Sequence, residues 1–316
     1  MKRISLITII LMMITLQTGL QGCTCKGDDV VEPHIFIRLL EDQSFQSTLL
    51  KRNVNYAVLL PVEYDTAQGP FPVIYLLHGF GEDEKGWYKW GNIKYYADLY
   101  KNETGPAIYV MPAGGNSYWI NNYTNQNRVM DMVVNELVTE IDSKYRTIKD
   151  PASRAVMGYS MGGYGALALV AKNPEIFNTA VVLSMSFRTD SQYMAEPQKV
   201  FDEQWGVIFG GRGKTEEERI TDYFLEYSPF HFFLNENDPS HSGQNYFIDC
   251  GKDEETLTVT NNELHQLLVA NNIKHEFRSR DGAHTWDYWH KSLPEALKYI
   301  GFAFRKMPYN PTGSIV

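Results

Sequence analysis

The sequence predicts an α/β fold with a mainly parallel central sheet and helices on both faces. From residue 73 onward, short apolar runs alternate with segments of helical spacing, the pattern of parallel strands joined by helices. Val73–Leu77 and Ala107–Met111 are continuously apolar, as expected for strands covered on both faces. Between a third apolar run and an Ala-rich segment lies the pattern Gly-x-Ser-x-Gly at 158–162. A strand, a very tight turn and a helix in this order present the serine at the tip of the turn.

The elements can be justified in chain order from the same periodicities. Two strands are predicted at Ile35–Leu40 and Asn53–Leu60, and in the second Val54, Tyr56 and Val58 share one face. Residues 128–145 predict an amphipathic helix with two acids, Glu136 and Glu140, on or beside its apolar stripe. The remaining predicted elements are a helix at 93–100, the strand 107–111, a strand at 154–157, a helix at 163–172, strands at 179–185 and 245–250, a helix at 261–272, a strand at 276–279 and a closing helix at 294–306.

Residues 202–233 interrupt this alternation. They contain the charged run Arg212–Arg219 and the aromatic run Phe230–Phe233. We interpret them as an insertion over the carboxyl edge of the sheet, where they would form part of a substrate wall. A charged helix packed beside the core is an equally good interpretation.

Composition limits the classes of partner. The chain has 316 residues, 43% of them hydrophobic, and a formal net charge of −9, so it can bury a sizeable core. An acidic surface disfavours binding to nucleic acid phosphates, and we expect no nucleic acid partner. No motif for nucleotide or metal binding is present, and the oligomeric state stays open.

The N-terminus has the pattern of an export signal. Lys2 and Arg3 precede an apolar stretch at 4–16, which is too short to span a membrane. The following Leu-Gln-Gly-Cys at 20–23 resembles a bacterial lipobox, which would make Cys23 the lipidated first residue. An ordinary secretory signal cleaved nearby is the alternative.

The predicted organisation is therefore a lipoprotein signal peptide at 1–22, a tether at 23–33, one catalytic domain at 34–308 and a tail at 309–316. We expect the mature protein to be exported and anchored by lipid to a bacterial membrane. The outer membrane and the cell surface are candidate locations, and the membrane face stays open. Cys25 lies in the tether and Cys250 ends an apolar strand, so no structural disulfide is predicted.

The predicted nucleophile is Ser160, which needs a base and an acid that orients the base. In the strand–turn–helix setting the chain order is serine, acid, histidine. His284 is the predicted base because it lies in a Gly-containing loop after the last predicted strand, and His290 is the second choice. Asp253, just beyond the strand 245–250, is the predicted acid, with Asp249 as the alternative.

An acyl-transfer site also needs two N–H groups aimed at the developing oxyanion. One is predicted to be the amide of Met161, the residue after the serine. The other is assigned to the amide of Phe80, in the His-Gly-Phe-Gly loop that follows the strand 73–77. His78 is then a structural residue of that loop rather than a second base.

These residues together resemble the esterase D-like branch of the α/β-hydrolases over residues 35–305. The most specific segments are Tyr-Leu-Leu-His-Gly at 75–79, the ten residues from Gly158 to Leu167, and Gly-Ala-His-Thr-Trp at 282–286. The resemblance implies an α/β-hydrolase fold and a serine carboxylesterase without metal or cofactor. It supports Ser160, Asp253 and His284 by position and does not determine the substrate.

Export together with this resemblance favours acyl or feruloyl esters on plant polysaccharide or its fragments, as for secreted feruloyl and acetylxylan esterases. Trp87, Trp119 and Asn116 are the candidate substrate-binding residues, although loop aromatics equally often pack the core. The alternatives are an acyltransferase on the same fold, a siderophore esterase and a non-catalytic glycan-binding surface lipoprotein.

Overall fold

An eight-stranded sheet organises the residues that the computed structural model describes, which are 37–234 and 243–306. Its strand order is β1-β2-β4-β3-β5-β6-β7-β8. The first two strands run antiparallel to their neighbours, and β4, β3 and β5–β8 are parallel, which confirms the predicted fold class. The strands are β1 Arg38–Ser47, β2 Arg52–Leu60, β3 Val73–Leu77, β4 Ile108–Pro112, β5 Arg154–Tyr159, β6 Thr179–Leu183, β7 Asn245–Gly251 and β8 His275–Arg280.

Helices connect the strands and cover both faces. They are α1 Gly86–Lys89, α2 Ile93–Leu99, α3 Lys101–Thr104, α4 Val129–Asp131, α5 Val138–Lys144, α6 Met161–Lys172, α7 Asp190–Ala195, α8 Gln198–Val200, α9 Gly206–Phe209, α10 Asp222–Tyr227, α11 Pro229–Phe232, α12 Thr256–Ala270 and α13 Trp286–Phe304. A π-helical segment, Met132–Leu137, joins α4 to α5, so the helix predicted over 128–145 is continuous with one irregular stretch.

The alternation of side chains along the strands divides the core into two layers. Val54, Tyr56 and Val58 of β2 pack on the face that carries α6, α12 and the segment 129–144. Ala57 and Leu59 point to the opposite face, where α2 and α13 lie. The sheet is therefore buried on both sides, as its apolar strands predict.

The closing helix begins earlier than the sequence suggests. It starts at Trp286, eight residues before Pro294, where the sequence predicts its first residue. One interior proline removes a single backbone hydrogen bond and strains the turn before it. Burial of one side of the helix, including Tyr288, Trp289 and Leu293, outweighs that local cost.

The segment 202–233 is a set of short helices whose aromatic side chains join the core. Trp205, Phe209 and Phe224 pack in one cluster with Tyr164 of α6 and Phe187, which follows β6. The segment is also tied to the loop 118–128, because the Tyr223 hydroxyl donates to the Asn121 carbonyl at 2.6 Å. The aromatic side chains of the segment join the core, whereas most of its charged run, 212–218, is exposed. The insertion over the sheet edge and its role as a substrate wall stay predictions.

The predicted signal peptide, Cys23, the tether 23–33 and the tail 309–316 lie outside the described residues, and the domain boundaries remain predictions. Among the helices of 37–234 and 243–306, none combines the length and apolar character needed to cross a bilayer.

Glu136 connects the helical segment 129–144 to the turn between β1 and β2. Its carboxylate accepts hydrogen bonds from the Ser47 hydroxyl and from the amides of Thr48, at 2.9 Å, and Leu49, at 3.1 Å. Burial raises the pKa of Glu136, but the hydrogen bonds from Ser47, Thr48 and Leu49 outweigh that effect and hold its pKa below the ordinary value. The turn between β1 and β2 therefore supplies the hydrogen-bond donors for this acid on the apolar stripe.

We predict that Glu136→Gln lowers the free energy of unfolding by about 1–3 kcal/mol at pH 7, since charge-assisted hydrogen bonds are replaced by weaker ones. A lowered pKa in the folded state means that the contribution is present above the pKa of the unfolded chain, about 4.3, and is lost as the pH falls through the folded value. Urea denaturation at pH 7 and at pH 3 should show the difference shrinking at low pH. Glu263→Gln, an exposed site on α12, is the control; equal losses in both variants would contradict this account.

Candidate active site

Ser160 occupies the single residue between β5 and α6. Its backbone has φ 57° and ψ −122°, a conformation that residues other than glycine rarely adopt. Hydrogen bonds hold it there: the Ser160 amide donates to Leu183 at 2.9 Å, and its carbonyl accepts from Gly163 and Ser186, each at 3.0 Å. The turn thus fixes Ser160 directly before the first residue of α6.

The two glycines of the pattern are required by crowding. A Cβ atom on Gly158 would overlap the carbonyl group of Gly162, and one on Gly162 would overlap the carbonyl group of Leu77. Strand β5, helix α6 and strand β3 approach each other so closely at this turn that no side chain fits. The spacing Gly-x-Ser-x-Gly is therefore a steric requirement of the turn.

Three side chains from separate loops form a connected hydrogen-bond chain. His284 Nε2 lies 2.8 Å from Ser160 Oγ, and His284 Nδ1 lies 2.7 Å from Glu254 Oε2. A carboxylate only accepts, so Nδ1 carries the proton and the lone pair of Nε2 faces the serine hydroxyl. This arrangement can take a proton from Ser160 and stabilise the resulting imidazolium.

Two hydrogen bonds to one carboxylate oxygen position Glu254. Its side chain is fully buried, and Oε1 accepts from the Ser184 hydroxyl at 2.6 Å and from the Gly251 amide at 2.8 Å. Ser184 Oγ in turn accepts from Trp289 Nε1 at 2.9 Å, and the Trp289 ring meets the His284 ring edge-on with centroids 5.0 Å apart. These partners leave Oε2 free for the histidine and fix its direction.

The structure corrects the predicted acid. Asp253 is exposed and does not contact His284; its Oδ2 accepts from the Gly282 amide at 3.1 Å, and its amide donates to the Gly282 carbonyl at 3.0 Å. It therefore ties the loop after β7 to the loop that carries the histidine. The alternative, Asp249, is also elsewhere: it pairs with Arg280 and Tyr288, and burial raises its pKa.

Glu254 could have been considered from the sequence. Glutamate serves as well as aspartate in this position of the serine–acid–histidine order. The sequence places three acids side by side after β7, Asp253, Glu254 and Glu255, and only the direction of the backbone decides which one turns inward. In the structure Glu254 is buried and Asp253 faces solvent.

One predicted oxyanion donor, Met161, follows Ser160 in the chain, and the other lies in a loop that packs against the serine. A Cβ on Gly79, the residue before Phe80, would be 3.5 Å from the Ser160 Cβ. Within the described part of the chain, the amides of Phe80 and Met161 make no hydrogen bond with a protein acceptor. Both are available to a negatively charged oxygen.

His78 holds the loop of Phe80 in place, as predicted. Its Nε2 accepts from the Gly114 amide at 3.0 Å, so its Nδ1 carries the proton that is donated to the Gly79 carbonyl at 2.8 Å. Burial lowers the pKa of His78, which favours this neutral form. The next amide along, that of Gly81, donates to Asn116 Oδ1 at 2.7 Å.

The predicted substrate-binding residues need correction as well. Trp87 and Trp119 are buried, and their indole N–H groups donate to the carbonyls of Leu77 and His78, at 3.0 and 3.2 Å. They are core residues because their rings fill space between the loops and the sheet. Asn116 is exposed, but its side-chain oxygen accepts a hydrogen bond from the Gly81 amide. It therefore supports the loop that carries the Phe80 amide.

The second candidate base, His290, lies away from the serine. Its Nε2 contacts the Trp90 carbonyl at 3.1 Å, and its ring stacks on Tyr96 with centroids 5.5 Å apart. It serves to join α13 to the α1–α2 region.

Comparison with known families agrees with the chemistry that this geometry allows. The family model described as "Putative esterase" matches residues 47–300. The chain belongs to this esterase family. An esterase of Mycobacterium tuberculosis is 34% identical over 132 residues, which are 40% of this chain and 28% of the relative, so the chain spans well under a third of that protein.

Two further relatives cover most of the chain. An acetyl esterase of Caldicellulosiruptor saccharolyticus is 23% identical over 276 residues, 81% of this chain and 96% of the relative. A solved structure described as a ferulic acid esterase superposes with a TM-score of 0.69 at 24% identity, covering 85% of this chain and 99% of that one. The structural similarity shows that the chain shares its fold with that ferulic acid esterase.

We predict that Gly162→Ala lowers the thermal unfolding midpoint, because the added methyl group must displace the backbone of β3 at Leu77. The expected loss in the free energy of unfolding is about 1–3 kcal/mol or more. Differential scanning calorimetry provides the measurement. Gly69→Ala is the control, since no atom lies within 4 Å of a Cβ at that site; a Gly162 variant as stable as this control would refute the packing argument.

Proposed function

We propose that the chain is a serine esterase that hydrolyses carboxylic esters through an acyl-enzyme. The observation that carries this proposal is the placement of His284 between Ser160 Oγ, at 2.8 Å, and Glu254 Oε2, at 2.7 Å. Membership of the esterase family supports the same reaction class.

The first half-reaction follows from the positions of the protons. His284 Nε2 accepts the Ser160 proton as Oγ attacks the ester carbonyl, and Glu254 stabilises the imidazolium through the proton on Nδ1. The amides of Phe80 and Met161 receive the developing negative charge. Collapse of the tetrahedral intermediate breaks the C–O bond of the ester, and His284 donates its proton to the departing alcohol.

The second half-reaction repeats these roles with water. His284 removes a proton from the water as it attacks the acyl carbonyl, and returns the proton to Ser160 Oγ when the acid leaves. The serine, the histidine and the carboxylate regain their starting states, so no cofactor is consumed.

For the substrate we propose acetyl or feruloyl esters on plant polysaccharide or its fragments. The support is the acetyl esterase relative and the fold shared with a ferulic acid esterase. The signal and lipobox pattern before residue 24 supports an exported protein anchored by lipid at Cys23. Hydrolysis rates for acetylated xylan, methyl ferulate and a triacyl siderophore test the substrate class; a clear preference for the siderophore would overturn it.

We predict that Ser160→Ala lowers kcat for p-nitrophenyl acetate by about 10⁴–10⁶, because the hydroxyl that forms the acyl-enzyme is gone. A fluorophosphonate probe followed by peptide mass spectrometry should label Ser160 in the unaltered chain and nothing in the variant. Substantial turnover by the variant, or a label on another residue, would show that the nucleophile lies elsewhere.

We predict that Glu254→Gln lowers kcat by about 10²–10⁴, because a neutral amide no longer selects the Nδ1-protonated tautomer of His284. The neighbouring Asp253→Asn is the matched control and should keep close to the original kcat, as the amide oxygen can still accept from Gly282. Steady-state kinetics on p-nitrophenyl acetate compare the two. The reverse order of effects would restore Asp253 as the acid.

A further inference from the structure

The Phe80 amide belongs to a four-residue turn that runs from Gly79 to Glu82. The Glu82 amide approaches the Gly79 carbonyl at 3.4 Å, which is long for a hydrogen bond. Gly81 has φ 81°, the positive value that the third residue of such a turn requires. The Phe80 side chain is 47% exposed, so burial anchors this part of the turn weakly. The position of the Phe80 amide therefore depends on contacts from outside the turn.

Tyr159 makes such contacts at both ends of the turn. Its hydroxyl donates to Glu82 Oε2, and its ring lies so close to Gly79 that a Cβ there would be 2.8 Å from the ring atom Cε2. Tyr159 is the last residue of β5 and directly precedes Ser160. One side chain thus connects the backbone of the nucleophile to both ends of the turn that carries Phe80.

The ring of Tyr159 is held by the core independently of its hydroxyl. The side chain is 1% exposed, and its ring meets those of Trp87, Trp286 and Trp289 with centroids 5.2, 4.5 and 4.7 Å apart. A phenylalanine at this position could keep these ring contacts. The hydroxyl is therefore the part of the residue that adds the contact with Glu82.

The hydrogen bond between Tyr159 and Glu82 is enclosed by the start of α1. A Cβ on Gly86 would overlap Glu82 Oε2 and lie 2.6 Å from the Tyr159 hydroxyl, so the pair fits because residue 86 has no side chain. Burial and the Glu82 carboxylate raise the pKa of Tyr159. The phenol thus keeps its proton at neutral pH and acts as the donor.

Two other side chains hold different groups of the same turn. His78 donates to the carbonyl of the first residue of the turn, and Asn116 accepts from the amide of the third. Neither bond involves Glu82 or Tyr159. Loss of the Tyr159 hydroxyl should therefore displace the turn without unfolding it.

We propose that Tyr159 and Glu82 are positioning residues for the oxyanion hole, because their contacts with both ends of the turn fix the Phe80 amide relative to Ser160. The proposal rests on the proposed esterase function and adds residues that act through the Phe80 amide rather than on the substrate. The carbonyl oxygen gains its negative charge only in the transition state. A displaced amide should therefore weaken the transition state more than the bound ester.

Tyr159→Phe tests the proposal, since it removes the hydroxyl and keeps the ring. We expect kcat and kcat/KM for p-nitrophenyl acetate to fall together by about 10–100-fold, because a donor is displaced rather than lost. Tyr88→Phe is the matched control: it removes a hydroxyl that donates to Glu41 Oε2 at 3.1 Å, and it should keep the original kcat. Unfolding midpoints check that both variants are folded.

Changes at Glu82 give a second measurement. Glu82→Ala should lose as much activity as Tyr159→Phe, whereas Glu82→Gln should keep most of it, because the amide oxygen can still accept from the phenol. The double variant Tyr159→Phe with Glu82→Ala should lose no more than either single variant, since the two residues act through one hydrogen bond. Additive losses would contradict the proposed coupling.

An inhibitor that resembles the transition state reports on the oxyanion directly. A trifluoromethyl ketone adds to Ser160 Oγ and forms a tetrahedral oxyanion that needs the same donors. We expect its Ki to rise by about 10–100-fold in Tyr159→Phe, while the acid limb of the kcat/KM pH profile, which reports His284, stays in place. An unchanged Ki, a shifted acid limb, or an equal loss in Tyr88→Phe would overturn the positioning role.

The same measurements separate this proposal from the proposed function. An unaltered chain that neither hydrolyses p-nitrophenyl acetate nor binds the ketone would refute the esterase proposal, and this inference with it. An active unaltered chain whose kcat survives Tyr159→Phe would refute the positioning role alone.

Discussion

The hydrogen bond between Glu254 and His284 is the constraint on which the arrangement of the site depends. It joins two loops that leave neighbouring strands, β7 and β8, and it sets the histidine so that its other nitrogen faces Ser160. Asp253 reinforces the same junction through two hydrogen bonds with Gly282. Adjacent acids thus divide the work: one orients the imidazole, and the other keeps its loop in reach.

Much of this architecture could be predicted from the sequence. The alternation of apolar strands and helices, and the tight turn around Ser160, are local patterns with steric causes that any chain of this fold must satisfy. His284 could be chosen because it follows the last strand in a Gly-containing loop. The choice between Asp253 and Glu254 could not be made, since it depends on how the backbone leaves β7 and on the pocket that Ser184 and Gly251 provide.

The aromatic residues show a second limit of sequence analysis. Trp87, Trp90 and Trp119 all lie in or next to loops, yet two are core residues and one is exposed. Burial here is decided by backbone carbonyls: the indole groups of Trp87 and Trp119 find the free carbonyls of Leu77 and His78. Pairings between residues ten or more positions apart leave no trace in local periodicity, and the start of α13 ahead of Pro294 is hidden for the same reason.

The hydrogen bonds of His78 to the loop that carries Phe80 require the neutral imidazole, so this loop is sensitive to acid. One nitrogen of this ring donates to Gly79 and the other accepts from Gly114, so the ring bridges two segments only while it holds a single proton. A second proton would set two N–H groups head to head at Gly114 and push that segment away from the loop bearing Phe80. Strong acid would therefore loosen the segment that supports the Phe80 amide.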